Sequence, residues 1–281
     1  MSIGVYPVVW DWYRPSDDPS NPLLLPEIDS VVICVSHASV SGIASAKTHT
    51  LGLDNLLHYW GNHREVAFPR YWCYVSTTGV YAPRDDGGWV DEDSEVMPLR
   101  PGSIAAKAAE DWLEREIFSR SLVDETSTNL LNGCILRAAG IYGPGRIPRL
   151  DSLRNNEPLA IDPESFLNLI HVVDLAGIVV AACDAPSPQR IYNVADGNPV
   201  RRRDYYEFIA RQIGSLPPKF EVSKQPRPAD GSVAGGSFGK PVARTRGEGS
   251  KRIRTDRLKE SVAYPFQFPS FQDGLTPLLP K

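Results

Sequence analysis

Five short runs rich in β-branched and aromatic residues, at 3–10, 29–36, 70–76, 132–137 and 190–194, punctuate the chain through its first two thirds, with a proline-rich loop after the first and helical segments between the others. That alternation most restricts the fold. The run 29–36 (DSVVICVS) is apolar almost throughout, the signature of a strand buried on both faces of a helix-covered parallel sheet. Leu51, Leu53, Leu56, Leu57 and Tyr59 then recur at helical spacing up to Gly61-Asn62, a pair suited to a C-terminal cap. Ile104, Ala105, Ala108, Trp112, Leu113 and Ile117 mark the apolar face of a second helix over 103–118. Strands alternating with helices predict an α/β fold with a doubly wound parallel sheet. Pro7 restricts the run 3–10 to an edge or a strand start, and Asp11 closes it. Residues 168–183 read as a short strand entering a buried helix, and Asp204 as the cap of a helix over 205–213. A last short helix is expected at 271–279, and a mobile excursion across the Gly-, Pro- and Arg-rich stretch 223–250.

Composition narrows the function classes. The net charge is −4 and the sequence pI about 5.8, which gives no electrostatic case for binding nucleic acid or an anionic membrane. No apolar run reaches the roughly 20 residues that span a bilayer, and no signal-peptide pattern opens the chain. Cys34, Cys73, Cys134 and Cys183 lie far apart in apolar runs without a CxxC pair, so the reading is of buried, reduced thiols in a cytoplasmic protein, with no metal site.

The stretch Tyr74-Val75-Ser76-Thr77-Thr78-Gly79-Val80-Tyr81 starts as a strand and ends in small hydroxylated residues. It can be an ordinary Ser/Thr-rich turn. In an open α/β sheet it is also where ligands bind, beyond the carboxyl ends of the strands. Further motifs follow in order. Asp91-Glu92-Asp93-Ser94 comes first, then Pro98-Leu99-Arg100-Pro101 leading into a helix with Lys107 and Glu110. Leu136-Arg137-Ala138-Ala139-Gly140-Ile141-Tyr142-Gly143-Pro144-Gly145 and Ile170-His171-Val172-Val173-Asp174 complete the set. Over about residues 5–280 this succession resembles the extended short-chain dehydrogenase/reductase superfamily, the NAD-dependent epimerase/dehydratase group, in an atypical form.

The resemblance implies roles. Thr77 would hydrogen-bond a substrate oxygen, Lys107 would bind the nicotinamide ribose, and Tyr142, Gly143 and Pro144 would lie beside the carboxamide. Asp11 and Ser36, at the ends of the first two runs, join them as cofactor contacts. His171 and Asp174 read as structural, the latter as a helix-start cap or a network acid. NAD or NADP would be the cofactor and a small molecule the substrate, with neither nucleic acid nor membrane as partner and a homodimer as the assembly.

Two departures limit this. The family tyrosine should stand four residues before Lys107, where the chain has Ser103. A serine hydroxyl titrates several units above a phenol, so Ser103 can hold a ligand but not serve as a family-type proton donor. Tyr81 is the substitute, or else a packed aromatic after the strand. The second departure is the glycine-rich phosphate loop, which should precede the run 3–10; Gly4 stands there alone, and the cluster 231–239 follows no strand. The expected core is therefore N-terminally truncated. Strand 29–36 would present an open apolar edge unless 3–10 pairs with it. The division expected is an incomplete dinucleotide-binding core over 1–150 and, over 151–281, a small C-terminal substrate subdomain with core elements returning at 168–194. The function read from all this is an NAD(P)-dependent epimerase/dehydratase-like oxidoreductase impaired in cofactor binding; the alternative is a non-catalytic nucleotide-sensing or scaffolding relative.

Overall fold

The computed structural model describes residues 5–15, 17–18, 20, 23–63, 66–119, 132–184, 190–221 and 249–279. The expected excursion at 223–250 falls almost wholly outside them. In chain order, β1 (Ser30–Ile33) leads to α1 (Lys47–Asn62), and β2 (Tyr71–Thr77) ends in a 3-10 turn, Thr78–Val80. After β3 (Trp89–Val90), α2 (Pro101–Leu113) continues as a π-helical turn, Glu114–Phe118. Next come β4 (Asn132–Ala138), β5 (Gly140–Tyr142), α3 (Leu150–Arg154), β6 (Phe166–Leu167) and β7 (Leu169–His171). The remainder is α4 (Val172–Asp184), β8 (Ile191–Val194), β9 (Val200–Arg201), α5 (Arg202–Gln212), β10 (Arg252–Ile253), α6 (Asp256–Ser261) and α7 (Phe271–Leu275).

Strands β1, β2, β4 and β8 form one parallel sheet in that order. Period-two alternation divides its side chains between two cores. On one face Val31, Ile33, Trp72, Tyr74 and Ile135 pack against Leu53, Leu56, Tyr59 and Trp60 of α1 and Ala109, Trp112 and Leu113 of α2. On the other, Tyr71, Cys73, Cys134, Leu136, Tyr192 and Val194 pack against Leu175, Ile178, Val179 and Ala182 of α4 and Leu258 of α6. Helices on both faces make this the doubly wound, Rossmann-like α/β fold that the sequence predicts. A third cluster joins Tyr142, Leu153, Leu159 and Leu169 to Tyr205, Tyr206 and Ile209 of α5 and Phe271 and Leu275 of α7.

Three details differ from expectation. Residues 5–10 form no strand; Val5, Tyr6 and Val9 are exposed, and the segment is held instead by Trp10 and Trp12, which pack on the α1 core. Gly52 makes room for Trp12, since a Cβ there would stand 1.8 Å from the indole ring. Strand β1 is not buried on both faces: it is an edge strand whose Val32 is 44% exposed, and Cys34, just beyond it, is exposed too. Its outer edge has no partner among the described residues, as expected where 3–10 does not pair with it. Finally, Arg201 rather than Asp204 precedes α5, and Asp204 lies in the first turn, where the helix dipole favours a carboxylate.

The α2 face of the sheet changes chemistry at its last rung. Register pairs Ser76 with Arg137 and Arg137 with Asn193, so three polar side chains stand side by side where the preceding rungs are apolar. Glu110 reaches down from α2 to accept hydrogen bonds from Ser76 Oγ (2.5 Å), Arg137 Nε (3.1 Å) and Arg137 Nη2 (2.7 Å). Both charged side chains are only 3% exposed. Removing one partner leaves a buried charge uncompensated, so Glu110→Ala is expected to cost about 3–5 kcal/mol in urea unfolding. A cost under about 1 kcal/mol, the scale of a surface pair, would contradict this role.

Candidate active site

The buried pair sits directly behind the C-terminal end of β2. Glu110 and Ser103 are seven residues apart on α2, two turns, and thus share the face turned to the sheet. Thr77 ends the strand, and its Oγ1 accepts a hydrogen bond from the Gly79 amide (3.0 Å), capping the turn. Around Gly79 the site closes tightly. A Cβ on that glycine would lie 2.6 Å from Ser103 Oγ, 2.7 Å from Arg100 Nη2 and 3.2 Å from Thr77 Oγ1. Two of the sequence-derived residues, Thr77 and Ser103, are therefore brought together, and Arg100 joins them.

The other candidates at this end have partners of their own. Lys107 pairs with Asp111 one turn further along α2. Tyr81 is buried and donates to Asn193 Oδ1 (2.7 Å), with the Arg137 guanidinium 4.9 Å above its ring. Burial pushes its phenol up to about 12, against the pull of Arg137. The Asn193 backbone N–H in turn donates to Glu92 Oε1 (2.7 Å), and burial raises the Glu92 carboxyl. Arg257 Nη2 reaches Asp93 at 2.7 Å. The acidic loop motif is thereby tied to the sheet.

Tyr142, Gly143 and Pro144 lie at a second strand end, where β5 pairs with β7. Gly143 and Arg146 exchange both backbone hydrogen bonds across a tight turn (3.1 and 2.9 Å), with Gly145 at φ +71°. Tyr142 is fully buried, edge-on to His171 (5.2 Å), which is itself tilted against Phe268 at 3.9 Å. Burial lowers the His171 pKa and favours the neutral imidazole, against the opposite pull of the Asp174 charge. His171 Nε2 is buried with no partner among the described residues. Asp174 is a network acid as expected: fully buried, it accepts from Tyr264 OH (3.1 Å), Gln267 N (2.8 Å) and Phe268 N (3.0 Å). Asp11 lies in an exposed turn, accepting from the Tyr13 amide and pairing with Arg14, and Ser36 is exposed beyond β1.

Sequence reasoning missed Arg100, Lys251 and Asp196. Lys251 Nζ donates to the carbonyl of Thr78 (2.8 Å), across 173 residues of chain, which no local pattern announces. Asp196 follows β8, and its buried Oδ2 has no partner among the described residues. The fit to a dinucleotide is one-sided. The orphaned His171 Nε2 beside the Tyr142–Pro144 turn is a polar atom that a ligand can satisfy, whereas no described segment sets a helix N-terminus behind a glycine-rich strand turn for a pyrophosphate.

No family model matches the chain. Among curated proteins it is similar to Protein YeeZ of Escherichia coli (strain K12), 31% identical over 150 residues, which are 53% of this chain and 48% of that protein. It is 26% identical over 204 residues to short-chain dehydrogenase/reductase family 42E member 1 of Danio rerio, covering 64% of this chain and 52% of that one. The chain spans about half the length of these curated relatives. Among solved structures, the putative NAD-dependent epimerase/dehydratase from Methylobacillus flagellatus superposes with a TM-score of 0.64 at 22% identity, over 99% of this chain and 84% of that chain. UDP-glucuronic acid 4-epimerase from Bacillus cereus, in complex with NAD, gives 0.61 at 16%, over 89% and 70%. The resemblance holds in sequence to a short-chain dehydrogenase/reductase relative and in fold to the epimerase/dehydratase structures.

Asp196 offers a test of this region. Burial first, then the Asp174 charge, pushes its carboxyl up to about 7, against hydrogen bonding from the Asn198 amide and the pull of Lys259. A raised carboxyl pKa contributes stability that is fully present below the unfolded value near 4 and is lost as pH rises through about 7. Between pH 4 and 8, wild type is therefore expected to lose about 2–4 kcal/mol relative to Asp196→Asn in urea unfolding. Parallel stability curves for the two proteins would refute the assignment.

Proposed function

We propose that this chain carries the nicotinamide and substrate end of an NAD(P)-dependent oxidoreductase of the epimerase/dehydratase type, acting on a small molecule. The observation that supports it most is the convergence of Thr77, Gly79, Ser103 and Arg100 at the carboxyl end of β2, where open α/β sheets bind ligands. The NAD held by the Bacillus cereus epimerase and the name of the zebrafish relative support the cofactor class. When bound, the nicotinamide supplies the hydride chemistry.

The chain's own residues position the substrate. With its lone pair turned to the Gly79 amide, Thr77 can donate its O–H to a substrate oxygen. Ser103, in the tyrosine position, adds a second hydroxyl without becoming a proton donor, since no single ammonium brings a serine hydroxyl into acid–base range. Lys107 would have to exchange Asp111 for a ribose hydroxyl. Tyr81 is held by Asn193, and its raised pKa disfavours ionisation near neutrality.

A one-ended site binds weakly and asymmetrically. In nicotinamide fluorescence titrations of the full chain, NADH and NADPH are expected not to saturate at micromolar concentration. At about millimolar NADH, a range typical of weak contacts, saturation-transfer NMR is expected to mark the nicotinamide protons more strongly than the adenine protons, and Lys107→Ala to reduce that signal. Micromolar saturation would overturn the one-ended site; equal or adenine-dominated transfer would overturn the placement of the nicotinamide.

A further inference from the structure

Lys251 brings an amine to the end of β2 and meets no carboxylate there among the described residues. Asn168 fixes its backbone from both sides, donating from Nδ2 to the Lys251 carbonyl (2.8 Å) and accepting the Ile253 amide on Oδ1 (2.8 Å). The following residues pair as β10 with β3. From that stem the half-buried side chain reaches the Thr78 carbonyl with Nζ (2.8 Å) and lies 5.5 Å from the Tyr81 ring centroid. It therefore stands at the turn that carries Thr77 and Gly79. As an ammonium it has three N–H donors, of which the Thr78 carbonyl takes one and no other described residue takes a second. A charge held so sparingly favours its neutral form. Burial, and next the Arg100 charge, lower the pKa to about 8. The uncharged amine is the nucleophile, and desolvation is one way a lysine becomes able to attack a carbonyl carbon near neutrality.

We propose that Lys251 captures a carbonyl compound, a ketone or an aldehyde, as an imine at the end of β2. The amine lone pair attacks the carbonyl carbon, both amine protons leave with the oxygen as water, and a C=N bond replaces the C=O bond. No oxidant or reductant is consumed. A proton from solvent then converts the imine to an iminium, which has a single N–H. The Thr78 carbonyl that now accepts from Lys251 can accept that one donor, and the Tyr81 ring lies close enough to favour the cation. The Thr77 and Ser103 hydroxyls, both at Gly79 of the same turn, are placed to hydrogen-bond the departing oxygen. The proposal rests on reading the end of β2 as the substrate site and goes beyond it in making the contact covalent.

The test uses the full chain without cofactor and propanal as the probe. Cyanoborohydride reduces any imine to a stable propylamine, which peptide mass spectrometry reads residue by residue, with exposed Lys219 and Lys259 as internal controls. At about pH 7.5, a pKa of about 8 leaves about a quarter of the amine uncharged, against about a thousandth at the value of 10.5 from which it is lowered. Lys251 is therefore expected to be propylated at least about tenfold faster than either control. Thr77→Val, or Ser103→Ala where the first does not fold, is expected to slow propylation of Lys251 at least about threefold. The midpoint of its acetylation by acetic anhydride against pH, which reads the amine alone, is expected to stay near 8 in the variant. Propylation of Lys251 no faster than the controls would overturn the proposal. Propylation at the wild-type rate in the variant would overturn the placement of the carbonyl beside the two hydroxyls. Because no nicotinamide is present, failure of imine capture leaves the NADH result standing, and failure of the NADH result leaves imine capture to be read by itself.

Discussion

The ion pair between Glu110 and Arg137 is the interaction on which the rest of the site depends. Burying two charges is expensive, and such pairs persist where their hydrogen bonds are nearly complete. Here three donors converge on one carboxylate, two from Arg137 and one from Ser76. The pair locks α2 onto β2 and β4 at the rung where the face turns from apolar to polar. Apolar packing of Ala109, Trp112 and Leu113 fixes how close the helix lies, but it is not directional. The charged contact fixes where along the strand the helix stops.

That stop sets the site. Two turns before Glu110, the same helix carries Ser103, and just before its first turn Arg100; both meet Gly79. The absence of a side chain at Gly79 gives them that approach, since a Cβ there would press on the serine, the arginine and the strand-end threonine. From the opposite side the chain returns after 173 residues to set Lys251 on the same turn, through Asn168 and the short pairing of β10 with β3. A strand, a helix start and a distant loop thus converge on residues 77–79.

Much of this was legible in the sequence. Apolar runs and helical spacing located β2, β4, α1 and α2, because those elements bury whole faces and their periodicity records it. Thr77 and Ser103 could be found because motif spacing carries them. The run 3–10 misled because β-forming residues make a strand only where a neighbour offers hydrogen bonds, and here Trp10 and Trp12 packed on a helix instead. Apolar content in 29–36 suggested two buried faces, although an edge position exposes Val32 and Cys34. Asn193, Asp196 and Lys251 left no local signal, since their roles come from strand register and long-range return.

Hydrogen exchange in Glu110→Gln tests most directly whether the buried pair organises the strand end. Two amides report on it: Gly79, bonded to Thr77 Oγ1, and Ile104, bonded to the Arg100 carbonyl. The Ile213 amide, bonded to the Ile209 carbonyl at the end of α5, is the internal control. Loss of the pair is expected to speed exchange at Gly79 and Ile104 together by about tenfold or more, the effect of a local opening made easier by about 1.4 kcal/mol, with Ile213 unchanged. Wild-type protection at Gly79 and Ile104 in the variant would show that the strand end is built without the ion pair, contradicting the account.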